Sequence, residues 1–175
     1  NPTVFEGVAG TTSGVNRAIW ALGLRNPFTT AVQPGTGRVF VNDVGEQTWE
    51  EINDGVAGRN FGWGGGCEGN CANANYTNPL HAYDHSGGCA ITGGAFYPAT
   101  AGQFPSDAGK YFFADYCAGW IRRYDPGSGA VTGFAAGIAS PVDLKVSPDG
   151  SLHYLARGSN AVLRIRYTGS ATPSI

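Results

Sequence analysis

The chain has no methionine and little charge. Eleven Lys and Arg stand against thirteen Asp and Glu among 175 residues, giving a net charge of −2. No run of Lys or Arg occurs, which argues against a nucleic-acid partner on electrostatic grounds. No apolar stretch approaches the roughly 20 residues a membrane-crossing helix needs. The amino terminus, NPTVFEGVAG, has neither a basic start nor an apolar core, so an export signal is expected to be removed or to lie upstream. Long helical periodicity is also lacking. What is abundant is glycine (28 residues), proline (10) and aromatic residues, the composition of many short strands joined by tight turns.

One phrase recurs three times. Pro34 to Gly37 leads into Arg38-Val39-Phe40-Val41-Asn42-Asp43, Pro105 to Gly109 into Tyr111-Phe112-Phe113-Ala114-Asp115, and Pro148 to Gly150 into Leu152-His153-Tyr154-Leu155-Ala156. Each follows an apolar strand and precedes another that ends near Ile52, Ile121 or Ile165. The apolar runs are too short and too tightly bounded by turns for helices. Such units build all-β propellers, with a β-sandwich as the alternative. The expected interior is Val39, Val41, Phe112, Leu144, Leu152 and Ile165.

The four cysteines allow three pairings. Cys67 and Cys71 share the short loop CEGNC, which leaves Cys89 to join Cys117. A zinc site would want two close-spaced pairs, and only one is close. Disulfides are therefore the preferred reading, and with them an oxidising compartment: secreted, extracellular or periplasmic. Asn75-Tyr76-Thr77 is a glycosylation sequon.

Several segments carry chemistry-bearing residue types. GWGGGCEG (62–69) lacks the Lys-Ser/Thr ending of a phosphate loop. Asp84-His85-Ser86 are adjacent and cannot supply the separated positions of a catalytic triad, so a turn or a cleft-lining loop is expected. His153 reads as a packed or rim residue. Asp43, Glu46, Glu50 and Glu51 cluster at one strand end and its loop. That oxygen-rich pattern suits calcium or is simply a solvated acidic loop.

The segment from Gly23 to Gly65, together with DHSGGCAITGGAFY (84–97), YFFADYCAGWI (111–121) and SPVDLKVSPDGSLHYL (140–155), resembles the glucose/sorbosone dehydrogenase family. Its best-known members are soluble quinoprotein sugar dehydrogenases. The resemblance implies a partial propeller domain over 1–175: about three blades of a six-bladed ring, in its carboxyl-terminal half. It implies pyrroloquinoline quinone (PQQ) and calcium as cofactors and a sugar as substrate. It places cofactor contacts at Arg25, Asn26, Gly45, Glu46 and His85, the last bordering the cleft, and metal contacts at Gly45, Glu46, Glu50, Glu51 and Phe61.

The match also has gaps. Positions where glucose-type enzymes place glutamine, lysine and paired arginines fall at Phe28, Cys117, Ser140 and Val142. The catalytic histidine of those enzymes belongs to an earlier blade, so no catalytic residue is assigned in this chain. The expected partner is a missing propeller half or a second copy. A non-catalytic extracellular binding or assembly module is the alternative reading.

Overall fold

A computed structural model describes residues 18–100 and 103–169. Eleven strands form three antiparallel sheets. The first contains β1 (Pro27–Val32), β2 (Val39–Asp43), β3 (Trp49–Asp54) and β4 (His81–Asp84). The second contains β5 (Ile91–Phe96), β6 (Tyr111–Asp115), β7 (Trp120–Tyr124) and β8 (Val131–Ala135). The third contains β9 (Pro141–Val146), β10 (Leu152–Ala156) and β11 (Ala161–Ile165). Each sheet is a meander in which every strand pairs with its sequence neighbour. These are propeller blades rather than the two facing layers of a sandwich.

The first strands of the sheets, β1, β5 and β9, lie next to one another. β5 is buried along its whole length because it is flanked on both sides. Its sequence Gly93-Gly94 allows that approach. A Cβ on Gly93, whose φ is +50°, would stand 2.8 Å from Leu144 Cγ.

Aromatic residues fill the space between the first two sheets: Phe40, Tyr83, Phe96, Tyr111, Phe113 and Trp120. Phe112, Ile121, Leu144, Leu152, Tyr154 and Ile165 fill the space between the second and third. Polar staples tie the layers together. Asn42 donates to the Gly93 carbonyl at 2.5 Å and accepts from Tyr111 Oη at 2.9 Å. Thr92 Oγ1 donates to the Pro141 carbonyl at 2.7 Å.

Of the expected interior, Val41, Phe112, Leu144, Leu152 and Ile165 are buried. Val39 is only half-buried, because it opens β2 opposite Val32 at the sheet's rim. His153 is half-buried within β10, between Lys145 and Arg164 on the flanking strands.

The repeated phrase gave three strands per unit, and the structure adds a fourth, β4 and β8, to the first two. A strand signal did exist for β8, since Asp125-Pro126-Gly127 forms the turn before it, with Gly127 donating to Asp125 Oδ1 at 2.8 Å. All four cysteines are in disulfides, Cys67–Cys71 and Cys89–Cys117. That pairing removes the zinc alternative. Asn75 is exposed in the loop between β3 and β4, beside a turn closed by Tyr76 N–H on the Asn73 carbonyl.

Candidate functional site

Antiparallel order sends the connections after β2, β4, β6, β8 and β10 to one face of the blades. Arg25 and Asn26 enter β1 from that same face. The sequence-derived candidates Arg25, Asn26, Gly45, Glu46 and His85 therefore share a face, and two acids explain how it is built. Asp43, at the end of β2, accepts from the backbone N–H groups of Arg25 at 2.9 Å and Asn26 at 2.7 Å. Asp115, at the end of β6, accepts from Ala90, Cys117 and Ala118 N–H and from Tyr83 Oη. In the first two sheets the terminal acid of the repeated phrase thus satisfies amides that open the first strand, which have no ladder partner there.

Arg25 holds the loop after β2. Its Nη1 donates to the carbonyls of Val44 at 3.2 Å and Gly45 at 2.8 Å. Gly45 must be glycine, since a Cβ there would stand 1.7 Å from the Trp49 carbonyl oxygen. Glu46 is exposed, and its N–H donates to Glu68 Oε1 at 2.6 Å.

Glu50 and Glu51 do not share a site, because consecutive strand residues point to opposite faces. Glu50 faces the second sheet, where it accepts from Ile91 N–H at 2.8 Å and lies 2.9 Å from His85 Nε2. Glu51 faces the loop joining β3 to β4, where it accepts from Gly69 N–H at 2.5 Å and Asn53 Nδ2 at 2.9 Å. That loop runs back along residues 20–23, with Phe61 N–H on the Leu22 carbonyl and Trp63 N–H on the Gly23 carbonyl. It thereby covers the side of the first sheet turned away from the second.

Under the loop is a cavity of about 10 Å³, lined by Arg25, Asp43, Gly45, Glu51, Phe61 and Glu68 among others. Sequence reasoning did not single out Glu68; its only signal was an acid within the Gly/Cys insertion. Burial raises the Asp43 and Glu51 carboxyls above their usual range, and Glu68 pushes both the same way. Three acids meet one guanidinium here. Among the described residues no three His, Cys, Asp or Glu side chains converge as ligands.

A second hollow, of about 350 Å³, opens where the first strands meet. Its lining includes Phe28, Val44, Ala90, Tyr116, Val142 and Arg157. Arg157 Nη1 donates to Tyr116 Oη at 2.6 Å. Neither residue was singled out from the sequence. His85 does not line this hollow. It follows β4, the outermost strand of its sheet. Asp84-His85-Ser86 is a turn, closed by Gly87 N–H on the Asp84 carbonyl and by Ser86 on the Asp84 side chain.

The buried acids set a pH dependence. Burial raises Asp43, Glu50 and Glu51, so the folded state holds their protons more tightly than the unfolded chain does. Stability from these groups is complete below the unfolded value of about 4 and is lost as pH rises through the folded values. Asp149, drawn down to about 2 by Ser147 and Ser151, acts in the opposite sense below that window, and His81, which burial and then Arg122 lower, opposes the three acids within it as pH falls below about 6.5. In metal-free buffer the thermal midpoint should rise by a few degrees as pH falls from 7 towards 4.5, and fall below about 4. Glu50→Gln can accept from Ile91 and donate to His85, and should lose its share of the response. A midpoint that declines steadily from pH 7 downwards would contradict this reading.

Stacked antiparallel meanders, with acid-capped first strands and loops gathered on one face, define a propeller segment whose candidate site lies on that face. The chain matches the glucose/sorbosone dehydrogenase family over residues 5–164 and belongs to it. The HIPL2 protein of Arabidopsis thaliana is 31% identical over 159 residues, covering 76% of this chain and 23% of that protein. A crystal structure of glucose dehydrogenase superimposes with a TM-score of 0.76 at 21% identity, covering 97% of this chain and 51% of that one. The PQQ-bound aldose sugar dehydrogenase of Streptomyces coelicolor gives 0.67 at 19% identity, covering 83% and 44%. The chain thus spans about half the length of these solved structures and under a quarter of the HIPL2 protein.

Proposed function

We propose that this chain is a half-ring of a secreted sugar dehydrogenase-like propeller, that it works in association with a complementary half, and that alone it neither holds PQQ tightly nor oxidises sugars. The hollow at the meeting of the first strands carries this reading. PQQ bears three carboxylates and calls for cationic partners. The hollow instead presents Phe28, Val44, Ala90 and Val142, with Asn26 and Thr92 as neutral polar groups, around a single guanidinium, which is already engaged by Tyr116. These residues do not fit the group, so no reaction step is derived through it.

Two observations support association. Trp20, Val32, Leu155 and Val162 are between 41% and 66% exposed, an apolar load that favours burial against another chain. Half-length coverage of propeller structures supports the same conclusion. The two disulfides support an oxidising compartment. Light scattering should find assembled species, and a dye-linked assay with PQQ, calcium and several aldoses should show no turnover by the isolated chain. A monodisperse monomer would overturn the association, and robust turnover would overturn the account of the hollow.

Calcium has a better case at the cavity beneath the 55–80 loop. Asp43, Glu51 and Glu68, with the Gly45 and Phe61 carbonyls, are the nearest donors, which calcium would draw inward, since as they stand no three side chains converge as ligands. Burial first, and then the neighbouring acids, raise the Asp43 and Glu51 carboxyls, and a divalent cation would relieve that surplus of negative charge. Glu46 would contribute only through its carbonyl, and Glu50 faces the other way. Isothermal titration of metal-stripped protein should give calcium heats that Glu51→Gln abolishes and Glu50→Gln preserves. Equal heats from all three proteins would remove Glu51 from the site.

A further inference from the structure

We propose that the hollow where the first strands meet is a receptor for one small aryl monocarboxylate, gripped at its carboxylate by Arg157 and Tyr116 while its ring lies on Phe28. The proposal rests on the reading of that hollow given above and names the ligand its residues do fit. PQQ asks for several cations and meets one; a single carboxylate asks for only one.

The polar end is arranged in advance. Arg157 begins the short turn between β10 and β11. Its backbone N–H on the Ser140 carbonyl, with Gly158 N–H on the Ala139 carbonyl, ties that turn to the segment before β9. The side chain reaches the residue just after β6, where Nη1 donates to Tyr116 Oη at 2.6 Å. A guanidinium carries five donors, and this bond uses one. The remaining fork matches the two oxygens of a carboxylate. Tyr116 accepts from Arg157, so its own hydroxyl hydrogen is left to donate to the same anion. Two donors from two sheets thus share one orientation before a ligand arrives, which lowers the cost of binding.

No acid competes for them. Among the described residues no Asp or Glu lines the hollow, and the acids near its lining in sequence are committed elsewhere. Asp43 turns to the N–H groups of Arg25 and Asn26, Asp115 to those of Ala90, Cys117 and Ala118 and to Tyr83, and Asp143 holds Lys145 through both oxygens. The walls select the rest of the ligand. Val44, Ala90 and Val142 bring one apolar surface from each sheet, and Asn26 and Thr92 complete the lining without charge. Phe28 is 49% exposed, so its ring is open to stacking, which favours an aryl body over an alkyl chain. A volume of about 350 Å³ is at the small end for ligand pockets and suits a bicyclic acid.

The probe is naphthoate, with naphthylmethanol as its uncharged analogue and trimesate as a small tricarboxylate. Isothermal titration of the whole chain should give one saturable naphthoate site, with both analogues weaker by about tenfold or more. Arg157→Gln should bring naphthoate down to the naphthylmethanol level. Tyr116→Phe and Phe28→Ala should each weaken it by about threefold or more, with circular dichroism matching the parent. Amide shifts on binding should centre on residues 26–28, 90–92, 116, 142 and 157. Equal affinity for naphthoate and naphthylmethanol, undiminished binding by Arg157→Gln, shifts confined to another face, or no saturation below about 1 mM would each overturn the proposal. A parallel PQQ titration separates it from the reading beneath it. If neither naphthoate nor PQQ binds, the receptor falls and the misfit with PQQ stands; tight PQQ binding that Arg157→Gln abolishes would refute the misfit and the receptor together.

Discussion

Asp115→Ala is expected to lower stability by about 3 to 5 kcal/mol, a drop of roughly 10 °C or more for a chain of this size. The carboxylate is fully buried and accepts four hydrogen bonds. Alanine would leave the buried Tyr83 hydroxyl and the half-buried Ala90 N–H without their acceptor, and would unfasten the exposed turn at Cys117 and Ala118. Tyr83 belongs to β4, so the contact also fastens the first sheet to the second. Burial and the neighbouring Asp115 charge hold that phenol far above its usual range, so it remains a donor at any working pH. Asp115→Asn should fall between wild type and alanine. It retains one acceptor oxygen but turns a second donor group towards Ala90 or Cys117. Urea unfolding followed by tryptophan fluorescence measures the difference, and a loss below about 1 kcal/mol for alanine would refute this account.

The second large effect should come from the longer disulfide. Cys89–Cys117 closes a separation of 28 residues and ties the segment before β5 to the turn after β6. Chain-entropy arguments give about 3.5 kcal/mol for a loop of that length and about 2 kcal/mol for the Cys67–Cys71 loop, whose separation is 4. Cys89→Ala/Cys117→Ala should therefore destabilise more than Cys67→Ala/Cys71→Ala in parallel urea titrations. The reverse order would mean that the short bridge chiefly organises the loop covering Glu51, a native-state role the entropy argument omits.

Much of the fold could be read from the sequence because the signals were local. Pro/Gly turns and apolar runs such as Val39-Phe40-Val41 and Tyr111-Phe112-Phe113 sit where strands form. The terminal acids Asp43 and Asp115 mark where the amides that open the same blade's first strand need an acceptor. The fourth strands were harder to see: His81–Asp84 is four residues long and follows an insertion, so its place depends on packing against Trp120 rather than on any pattern of its own.

The candidate site was legible by residue type and not by direction. Glu50 and Glu51 read as a pair along the chain, but the strand pleat sends them to different faces. His85 reads as close to the cleft because it precedes β5, and the structure sets it in the turn just after the outermost strand of the first sheet. Glu68 and Arg157 carry no periodic or motif signal. Only the return of the 55–80 loop, and the approach of β9 to β5, bring them into place.

The meander order of the sheets bears on how the chain acquires its structure during synthesis. Within a sheet every strand after the first pairs with the one translated just before it, so a blade can close as soon as its last strand leaves the ribosome, without waiting for distant sequence. Topologies rich in such local pairings fold quickly and expose unpaired edges only briefly. Growth should proceed from the amino-terminal sheet onwards, with each finished layer serving as the surface on which the next condenses.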